Sequence, residues 1–301
     1  MTVPTEPLVS ILMNCFNGEK YLREAIDSVL AQTYQNWELI FWDNQSTDFS
    51  AEIFNSYIDK RLKYFYAPKH SLLYDARNCA AEKSSGNYIA FLDVDDYWEA
   101  NKLEMQMNVF LTDTNVAMVY SNYYFKNEIK KTEKIQHKKR LPEGIIVDIL
   151  LRKYVIGLLT MVIDKKFLCE KNKPFDPRLH TIGDFDIAIK ISSKNEVACI
   201  QQPLATYRWH GSNETVLTMD KQIKELERWG KEMLNFPEVS NNKGFEQFLN
   251  NTKYLEGMHF VMQGDLTNAF KSLLRLSYGK EKLKLLLSII MPLRIIKRLR
   301  T

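Results

Sequence analysis

A cluster of carboxylates directly follows an apolar run in the first third of the chain. In the segment AFLDVDDYW, residues 90–98, Asp93, Asp95 and Asp96 lie close together. Carboxylate oxygens are hard ligands, and Mg²⁺ or Mn²⁺ binds one or two of them while keeping waters and substrate phosphates in its other positions. The cluster therefore predicts a site for a metal ion and a diphosphate. The alternative for Asp95 or Asp96 is a structural role as the cap of the next helix.

Strands and helices alternate on both sides of this cluster. Short apolar, β-capable runs are separated by segments whose apolar residues have helical spacing. The predicted strands are residues 9–13, 37–42, 62–66 and 88–92, and the predicted helices are residues 18–32, 50–57 and 74–83. This alternation indicates a parallel, doubly wound sheet.

Polar residues follow several of these strands at the point where each strand ends. In a doubly wound sheet the ligand lies at the carboxyl ends of the strands, near the reversal of strand order. The polar clusters are Asn14 with Asn17, Asp43 with Asn44 and Ser46, and the carboxylates after residue 92. Because three separate clusters converge on one edge, we expect them to line a single crevice.

Two long segments carry a resemblance to a known family. VSILMNCFNGEKYLREAIDSVLAQTYQNWELIFWDNQSTD and ARNCAAEKSSGNYIAFLDVDDYWEANKLEMQ resemble family 2 glycosyltransferases, which are inverting enzymes. The similarity covers roughly residues 8–212. It implies an α/β chain with the GT-A nucleotide-diphospho-sugar transferase fold, a doubly wound and mostly parallel sheet, followed by a C-terminal helical region.

The resemblance assigns roles to the strand-end residues in donor binding. Asp95 matches the residue that binds the metal on the donor's diphosphate, and Asp93 matches its partner at the ribose or the water shell of the metal. Asp43 matches an acid that helps to hold the nucleobase, and Asn14 is expected among the donor-binding residues. Asn44 stands where the family has a second acid. An amide both donates and accepts hydrogen bonds, so the identity of the base stays open.

Arg77 and Asp184 complete the predicted donor and catalytic residues. Arg77 matches a basic residue that faces the nucleotide; its alternative is a surface pair with Asp75 or Glu82. The segment TIGDFDIAIK resembles the family segment that carries the catalytic base, which implies that Asp184 takes the proton of the acceptor hydroxyl. Gly183 departs from the Glu that the family often has, and Asp186 is predicted to be structural.

His210, in TYRWHGSN, is the remaining predicted metal ligand. In relatives a histidine after Y-R-x completes the metal or diphosphate site, and imidazole is a credible ligand beside carboxylates. The alternative is a surface or capping histidine. The implied cofactor is Mn²⁺ or Mg²⁺, the donor is a nucleoside diphosphate sugar, and the acceptor is a glycan or a lipid-linked glycan in bacterial surface polysaccharide or glycolipid synthesis.

Two alternatives to a glycosyltransferase are a nucleotidyltransferase and a non-catalytic protein that binds nucleotide sugars. A nucleotidyltransferase would show a Gly-rich, basic loop after the first strand, and NCFNGEKYL matches such a loop poorly. A non-catalytic protein would be expected to lack the metal or base acids, whereas this chain keeps Asp95 and Asp184.

Charge and length predict two domains, residues 1–215 for transfer and residues 216–301 as a helical region. The second carries 15 Lys or Arg against 9 Asp or Glu, whereas the first sums to −2. A nearly neutral main body argues against nucleic acid as a partner, and a basic tail can bind anionic lipid. No signal peptide or spanning segment is evident, so we expect a cytosolic protein that is peripheral on the inner face of the membrane.

The sequence is compatible with two roles for each of two basic segments. Residues 126–140 carry seven basic and two acidic residues and predict an exposed loop or hairpin, either simply solvated or guiding an anionic or membrane-bound substrate. Residues 280–301 carry seven basic residues and one acidic residue among eleven Leu, Ile and Met. Lys280, Lys284, Arg294 and Arg298 would share one arc of a helix. This helix either lies in a membrane interface or packs on its own domain.

Overall fold

The computed structural model describes residues 6–168, 173–211, 213 and 218–291. The chain divides into two compact units, Met1–Ile146 with Val155–Asn213 and Val147–Tyr154 with Glu214–Thr301. The segment Val147–Tyr154, which the sequence places in the first domain, belongs with the second unit. The two functional domains stay a prediction, because compactness does not show that either unit folds or acts alone.

The first unit contains the predicted alternation of strands and helices. Its elements up to the acidic cluster are β1 Val9–Cys15, α1 Leu22–Leu30, β2 Trp37–Asp43, α2 Ser50–Asn55, β3 Leu62–Tyr66, α3 Leu73–Glu82 and β4 Tyr88–Phe91. Each predicted element in this region is confirmed within a few residues of its predicted bounds. In α1 the buried residues have helical spacing, so one face of the helix covers the sheet. These residues are Leu22, Ala25, Ile26 and Val29.

The later elements complete the sheet. They are β5 Tyr97–Trp98, α4 Lys102–Thr112, β6 Val116–Asn127, β7 Thr132–Ile135, α5 Val147–Arg152, β8 Val162–Asp164, α6 Gly183–Ser192 and β9 Glu196–Trp209, of which α5 lies in the second unit. The basic segment is a hairpin, because β6 continues to Asn127 and pairs with β7. Before β8, Leu158–Thr160 form a 3₁₀ turn.

Strand order places the predicted crevice at the middle of the sheet. The order is β3-β2-β1-β4-β8-β6-β9-β5, with β7 paired to β6. The strands from β3 to β4 are parallel, whereas β8 runs antiparallel to both β4 and β6. The order reverses between β1 and β4, so their carboxyl ends meet where doubly wound folds bind ligands.

A buried carboxylate fastens the opposite, amino-terminal ends of these strands. Glu38 accepts hydrogen bonds from Ser10 Oγ at 2.6 Å, from Lys63 Nζ at 2.5 Å and from the Ser85 backbone N–H at 2.6 Å. Although burial alone would raise it, these donors bring the pKa of Glu38 down to about 2. Glu38 therefore joins β1, β2, β3 and the turn before β4.

Lys102 is a buried amine in α4. Its side chain is inaccessible to solvent, its Nζ contacts Gln106 Oε1 at 2.6 Å, and it lies 4.0 Å from the centre of the Trp98 ring. Burial lowers the pKa of Lys102 well below the usual value for lysine. The folded state therefore binds this proton more weakly than the unfolded state does.

We expect the stability of the wild type to rise with pH relative to Lys102→Met. Folding makes Lys102 release its proton more readily than the unfolded chain does, and the free-energy cost of this release falls as pH rises toward about 10.4, the ordinary pKa of lysine. The expected slope is up to about 1.4 kcal/mol per pH unit. Urea unfolding of both proteins between pH 7 and pH 10 measures it. Parallel stability curves would show that Lys102 folds in its charged form.

Helices make up the second unit. Besides α5 they are α7 Met219–Met233, α8 Pro237–Ser240, α9 Lys243–Gln263, α10 Leu266–Arg275 and α11 Lys280–Ile290. The C-terminal helical region that the resemblance implies is confirmed in the residues that the structure describes. Among the described residues, no helix is long and apolar enough to span a membrane.

The helix α11 has a packed side and an exposed side. Leu285 is fully buried and packs at Gly257 of α9, where an added Cβ would collide with the leucine. Leu283, Leu287 and Ile290 are 58%, 47% and 72% exposed. The predicted arc extends through Arg294 and Arg298, which lie outside the described residues.

Candidate active site

The acidic cluster forms a tight turn between β4 and β5. The Asp96 N–H donates to the Asp93 carbonyl at 3.1 Å, and Asp96 Oδ1 accepts from the Arg208 N–H at 2.8 Å. Burial, followed by the charges of Asp95 and Asp93, raises the pKa of Asp96 well above its usual value. Asp96 therefore faces the interior and fastens the turn to β9, which favours the structural role.

Asp95 and His210 are brought together at the open side of this turn. His210 Nε2 lies 3.0 Å from Asp95 Oδ2, and Asn213 Nδ2 lies 3.4 Å from the same oxygen. Burial and the neighbouring Asp93 raise the pKa of Asp95. The described residues contain no group of three or more His, Cys, Asp or Glu side chains that could hold a metal. The pair still suits Mg²⁺ or Mn²⁺, which need few protein ligands when phosphates and waters complete the shell.

Arg208 supports the turn from β9. Its Nε donates to the Asp95 carbonyl at 2.8 Å, and its two terminal nitrogens donate to Glu128 and Glu24. The guanidinium is almost fully buried and lies 4.4 Å from the centre of the Tyr21 ring. It thereby joins α1, the hairpin and the acidic turn.

Arg77 binds the first acid of the turn. Its guanidinium lies 2.5 Å from Asp93 Oδ1, and its side chain is 4% exposed. The alternative partner Glu82 contacts Lys173 instead, at 3.2 Å. Asp93 remains 40% exposed, so its carboxylate is held by Arg77 yet open to the crevice.

Asp184 lies at the start of α6 and contacts Tyr74 of α3. The Tyr74 hydroxyl donates to Asp184 Oδ1 at 3.2 Å and accepts from the Asp184 N–H at 3.1 Å. Burial raises the pKa of Asp184, while the Phe185 N–H and Arg77 oppose the rise. Arg77 lies 5.0 Å from the centre of the Tyr74 ring. A chain of contacts therefore runs from Asp184 through Tyr74 and Arg77 to Asp93.

Gly183 and Asp186 are explained by packing around Asp184. An added Cβ at Gly183 would lie 2.5 Å from the Tyr74 ring, so this ring fills the space in which the Glu of the family would begin. Asp186 is buried and contacts Lys190 Nζ at 2.8 Å, one turn along α6. This geometry favours the predicted structural role of Asp186.

Asp43 and Asn44 are enclosed at the end of β2. Asp43 is fully buried and accepts from the Ser46 N–H and the Tyr64 hydroxyl, both at 2.7 Å. Asn44 donates to the Ser71 carbonyl at 2.9 Å and accepts from the Ser71 N–H at 3.1 Å. A carboxylate could not donate to that carbonyl, which explains the amide at position 44. Their contact with a nucleobase stays a prediction.

Asn14 lies near the end of β1 and is buried, and neither of its side-chain polar atoms has a hydrogen-bond partner among the residues that the structure describes. It pairs in register with Trp42, whose indole Nε1 likewise has no partner in the described part of the chain. Because buried polar groups without partners are costly, such a pair at the carboxyl ends of β1 and β2 suits a ligand or a bound water.

Sequence reasoning missed two residues that connect the site, Tyr74 and Arg208. Arg208 lies in β9 two positions before His210, which follows the end of the strand, and period-2 spacing continued from the strand would place both side chains on the same face. That signal could have identified Arg208. Tyr74 carries no such signal, because its contact with Asp184 joins residues 110 positions apart.

The doubly wound sheet and an acidic turn at the reversal of strand order are features of transferases with the GT-A fold. The chain matches the model of Glycosyl transferase family 2 over residues 10–173. It belongs to this family, as the resemblance predicted, and is a glycosyltransferase.

Curated relatives are similar along most of the chain. The Escherichia coli UDP-Glc:alpha-D-GlcNAc-diphosphoundecaprenol beta-1,3-glucosyltransferase WfgD is 35% identical over 73% of this chain and 83% of its own length. A putative teichuronic acid biosynthesis glycosyltransferase of Bacillus subtilis, TuaG, is 32% identical over 67% of this chain and 79% of its own.

Solved structures share the fold. Staphylococcus aureus TarS 1-349 in complex with UDP-GlcNAc has a TM-score of 0.66 and 16% identity, covering 88% of this chain and 79% of that one. A Pyrobaculum calidifontis mannosyltransferase in complex with GDP-Man and Mn²⁺ has a TM-score of 0.64 and 15% identity, covering 95% of this chain and 80% of that one. The predicted GT-A fold is therefore confirmed.

Proposed function

We propose that this enzyme transfers a sugar, with inversion, from a nucleoside diphosphate donor to a hydroxyl of a lipid-linked glycan during the synthesis of a bacterial surface polysaccharide. The contact chain Asp184–Tyr74–Arg77–Asp93, beside the pair Asp95–His210, is the observation that carries it. The similarity to WfgD, a transferase named for a diphosphoundecaprenol acceptor, and to TuaG, named for teichuronic acid biosynthesis, supports a lipid-diphosphate acceptor and a role in surface polysaccharide synthesis.

One group of residues acts on the donor and another residue acts on the acceptor. Asp95 and His210 would hold Mn²⁺ or Mg²⁺, which supplies a Lewis acid that offsets negative charge on the departing diphosphate. Arg77 orients Asp93 toward the donor and adds positive charge near it. Asp184 takes the proton of the attacking hydroxyl. Its raised pKa brings the carboxylate closer to the pH of the cell, which suits a general base.

A donor screen tests this proposal. UDP-, GDP- and dTDP-sugars are incubated with the enzyme and Mn²⁺, and release of the nucleoside diphosphate is measured. We expect hydrolysis with at least one UDP-sugar, because WfgD and the TarS complex both carry UDP-sugars in their names. Failure to bind or hydrolyse any of these donors would contradict the proposed function.

We further propose that the second unit holds the enzyme on the cytoplasmic face of the membrane. Leu283, Leu287 and Ile290 are exposed on α11, and Leu274 of α10 is 65% exposed. Lysines such as Lys284 accompany these apolar side chains, a combination typical of helices that lie in an interface with anionic headgroups. Leu285 packs inward at the same time, so the two alternatives for this segment are compatible.

We expect the variant Leu283→Ser/Leu287→Ser/Ile290→Ser to lose most of its cosedimentation with anionic liposomes and to keep donor hydrolysis. The three changes remove apolar area from the exposed side of α11 and leave the buried Leu285 in place. Leu234→Ser is a matched control, since Leu234 is 60% exposed elsewhere in the same unit. Equal liposome binding by all three proteins would refute the membrane contact.

A further inference from the structure

The turn of the hairpin of β6 and β7 lies beside the acidic turn. Glu128, directly after β6, accepts a hydrogen bond from Arg208, which holds the Asp95 carbonyl. At the base of the hairpin, the side chain of Asn122 donates to the His137 carbonyl at 2.8 Å and accepts from the His137 N–H at 3.2 Å. The contact of Arg208 fixes the hairpin next to the acidic turn, and the bonds of Asn122 close its base.

Tyr123 lies at the base of the hairpin. Its ring lies 5.7 Å from the His137 ring in an edge-to-face arrangement. Burial, helped by the charges of Asp96 and Asp184, raises the pKa of Tyr123 to about 12. Tyr123 is therefore within electrostatic reach of Asp184, the proposed base.

An aromatic surface continues from this point along the hairpin. The Phe125 and Tyr207 rings are 5.9 Å apart, and both side chains are half-buried. Lys134 of β7 places its Nζ 5.5 Å from the centre of the Phe125 ring. Half-buried aromatic rings offer a flat apolar face on which the C–H groups of a sugar can pack, with polar neighbours at the edge.

The hairpin and the residues that follow it carry more lysines than their carboxylates neutralise. Residues 126–140 carry seven basic and two acidic residues. Lys126 and Lys131 contact Glu128, at 3.6 Å and 3.0 Å. In the part of the chain that the structure describes, no carboxylate pairs with Lys134, Lys138 or Lys139. Three exposed ammonium groups in a run of six residues can bind a multiply charged phosphate group.

We propose that the hairpin is the acceptor subsite, with Phe125 and Tyr207 packing against the acceptor sugar and Lys134, Lys138 and Lys139 binding a diphosphate attached to it. This inference rests on the proposed function, because it takes the crevice beside Asp184 as the place of transfer. It specifies an acceptor that is anionic next to its sugar, as a sugar linked to a lipid through diphosphate would be.

Binding in metal-free buffer tests the subsite directly. Calorimetry compares a decyl-diphosphate-linked GlcNAc with the decyl glycoside of GlcNAc, which lacks the diphosphate. We expect the wild type to bind the first probe about tenfold more tightly, since charge-assisted hydrogen bonds are stronger than neutral ones. Lys134→Ala/Lys138→Ala/Lys139→Ala should abolish that preference, whereas Lys60→Ala, an exposed lysine before the opposite edge strand β3, should keep it.

Phe125→Leu tests the contact with the sugar independently of the contact with the diphosphate. It keeps apolar volume but loses the ring face, so binding of both probes should weaken by a similar factor. A wild type that binds neither probe, or a triple-lysine variant that keeps its preference, would overturn the inference. If inorganic diphosphate competed for the site as strongly as the sugar-linked probe does, the proposed contact with the sugar would be refuted. Donor hydrolysis, measured separately with Mn²⁺, tests the proposed function independently of these outcomes.

Discussion

Asp184→Asn is expected to bind donor as the wild type does and to lose transfer by about 10²- to 10⁴-fold, the usual contribution of a general base. The amide keeps the shape of the side chain and can still accept the hydrogen bond of Tyr74, but it cannot take a proton. Donor affinity by calorimetry and the transfer rate at saturating donor separate the two effects. If Asp184→Asn kept wild-type turnover, the assignment of Asp184 as the catalytic base would be refuted.

Two further substitutions serve as controls for Asp184. Asp186→Asn weakens the buried contact with Lys190 and should lower stability more than turnover per folded molecule. Tyr74→Phe removes the hydroxyl that holds the pKa of Asp184 down. Because the base must be ionised, the acid limb of the pH–rate profile of Tyr74→Phe should move to higher pH. If Asp186→Asn were folded but inactive, Asp186 would be the catalytic base and Asp184 would have the structural role.

Asp95→Asn is expected to abolish the increase in donor affinity that Mn²⁺ causes and to lower transfer by about 10²- to 10⁴-fold, which corresponds to several kcal/mol of Lewis-acid stabilisation. The amide keeps a hydrogen bond with His210, so the turn stays folded while its charge as a metal ligand is lost. Donor affinity is measured by calorimetry, with and without Mn²⁺, using the intact nucleotide sugar that the donor screen identifies as a substrate.

The control for this experiment is Glu52→Gln, which neutralises an exposed acid of α2 in the same unit. It should retain both the metal effect and turnover. If Asp95→Asn retained the full metal effect on donor affinity, the ion would have to bind elsewhere, and the assignment of Asp95 and His210 as ligands would fail.

The sequence predicts the parts of this fold that depend on local pattern. Strand and helix periodicity locates the elements from β1 to β4. Once the strands are located, the sequence also shows which polar residues lie at their ends, such as Asn14 and Asp93. The two-residue strand β5 has no local pattern, because it exists through its pairing with Thr206 and Ala205 of β9. Elements of this kind depend on the tertiary fold.

Contacts within the site are less predictable for the same reason. Arg208 joins Glu24 across 184 positions and Glu128 across 80 positions, and no spacing rule connects residues so far apart. Asn44 shows a second limit. Its residue type suggests contact with a base, whereas both ends of its amide bind the Ser71 backbone, a neighbour that only the folded chain supplies.

The close packing of Tyr74 on Gly183 constrains the order in which this site can change during evolution. A glutamate introduced at position 183 alone would collide with the ring and displace the hydroxyl that holds Asp184. A smaller residue at position 74 would first have to open the space, at the expense of that hydrogen bond. Neither single step preserves the base in its present surroundings, so descendants of this sequence can exchange the pair together but are blocked from exchanging Gly183 first.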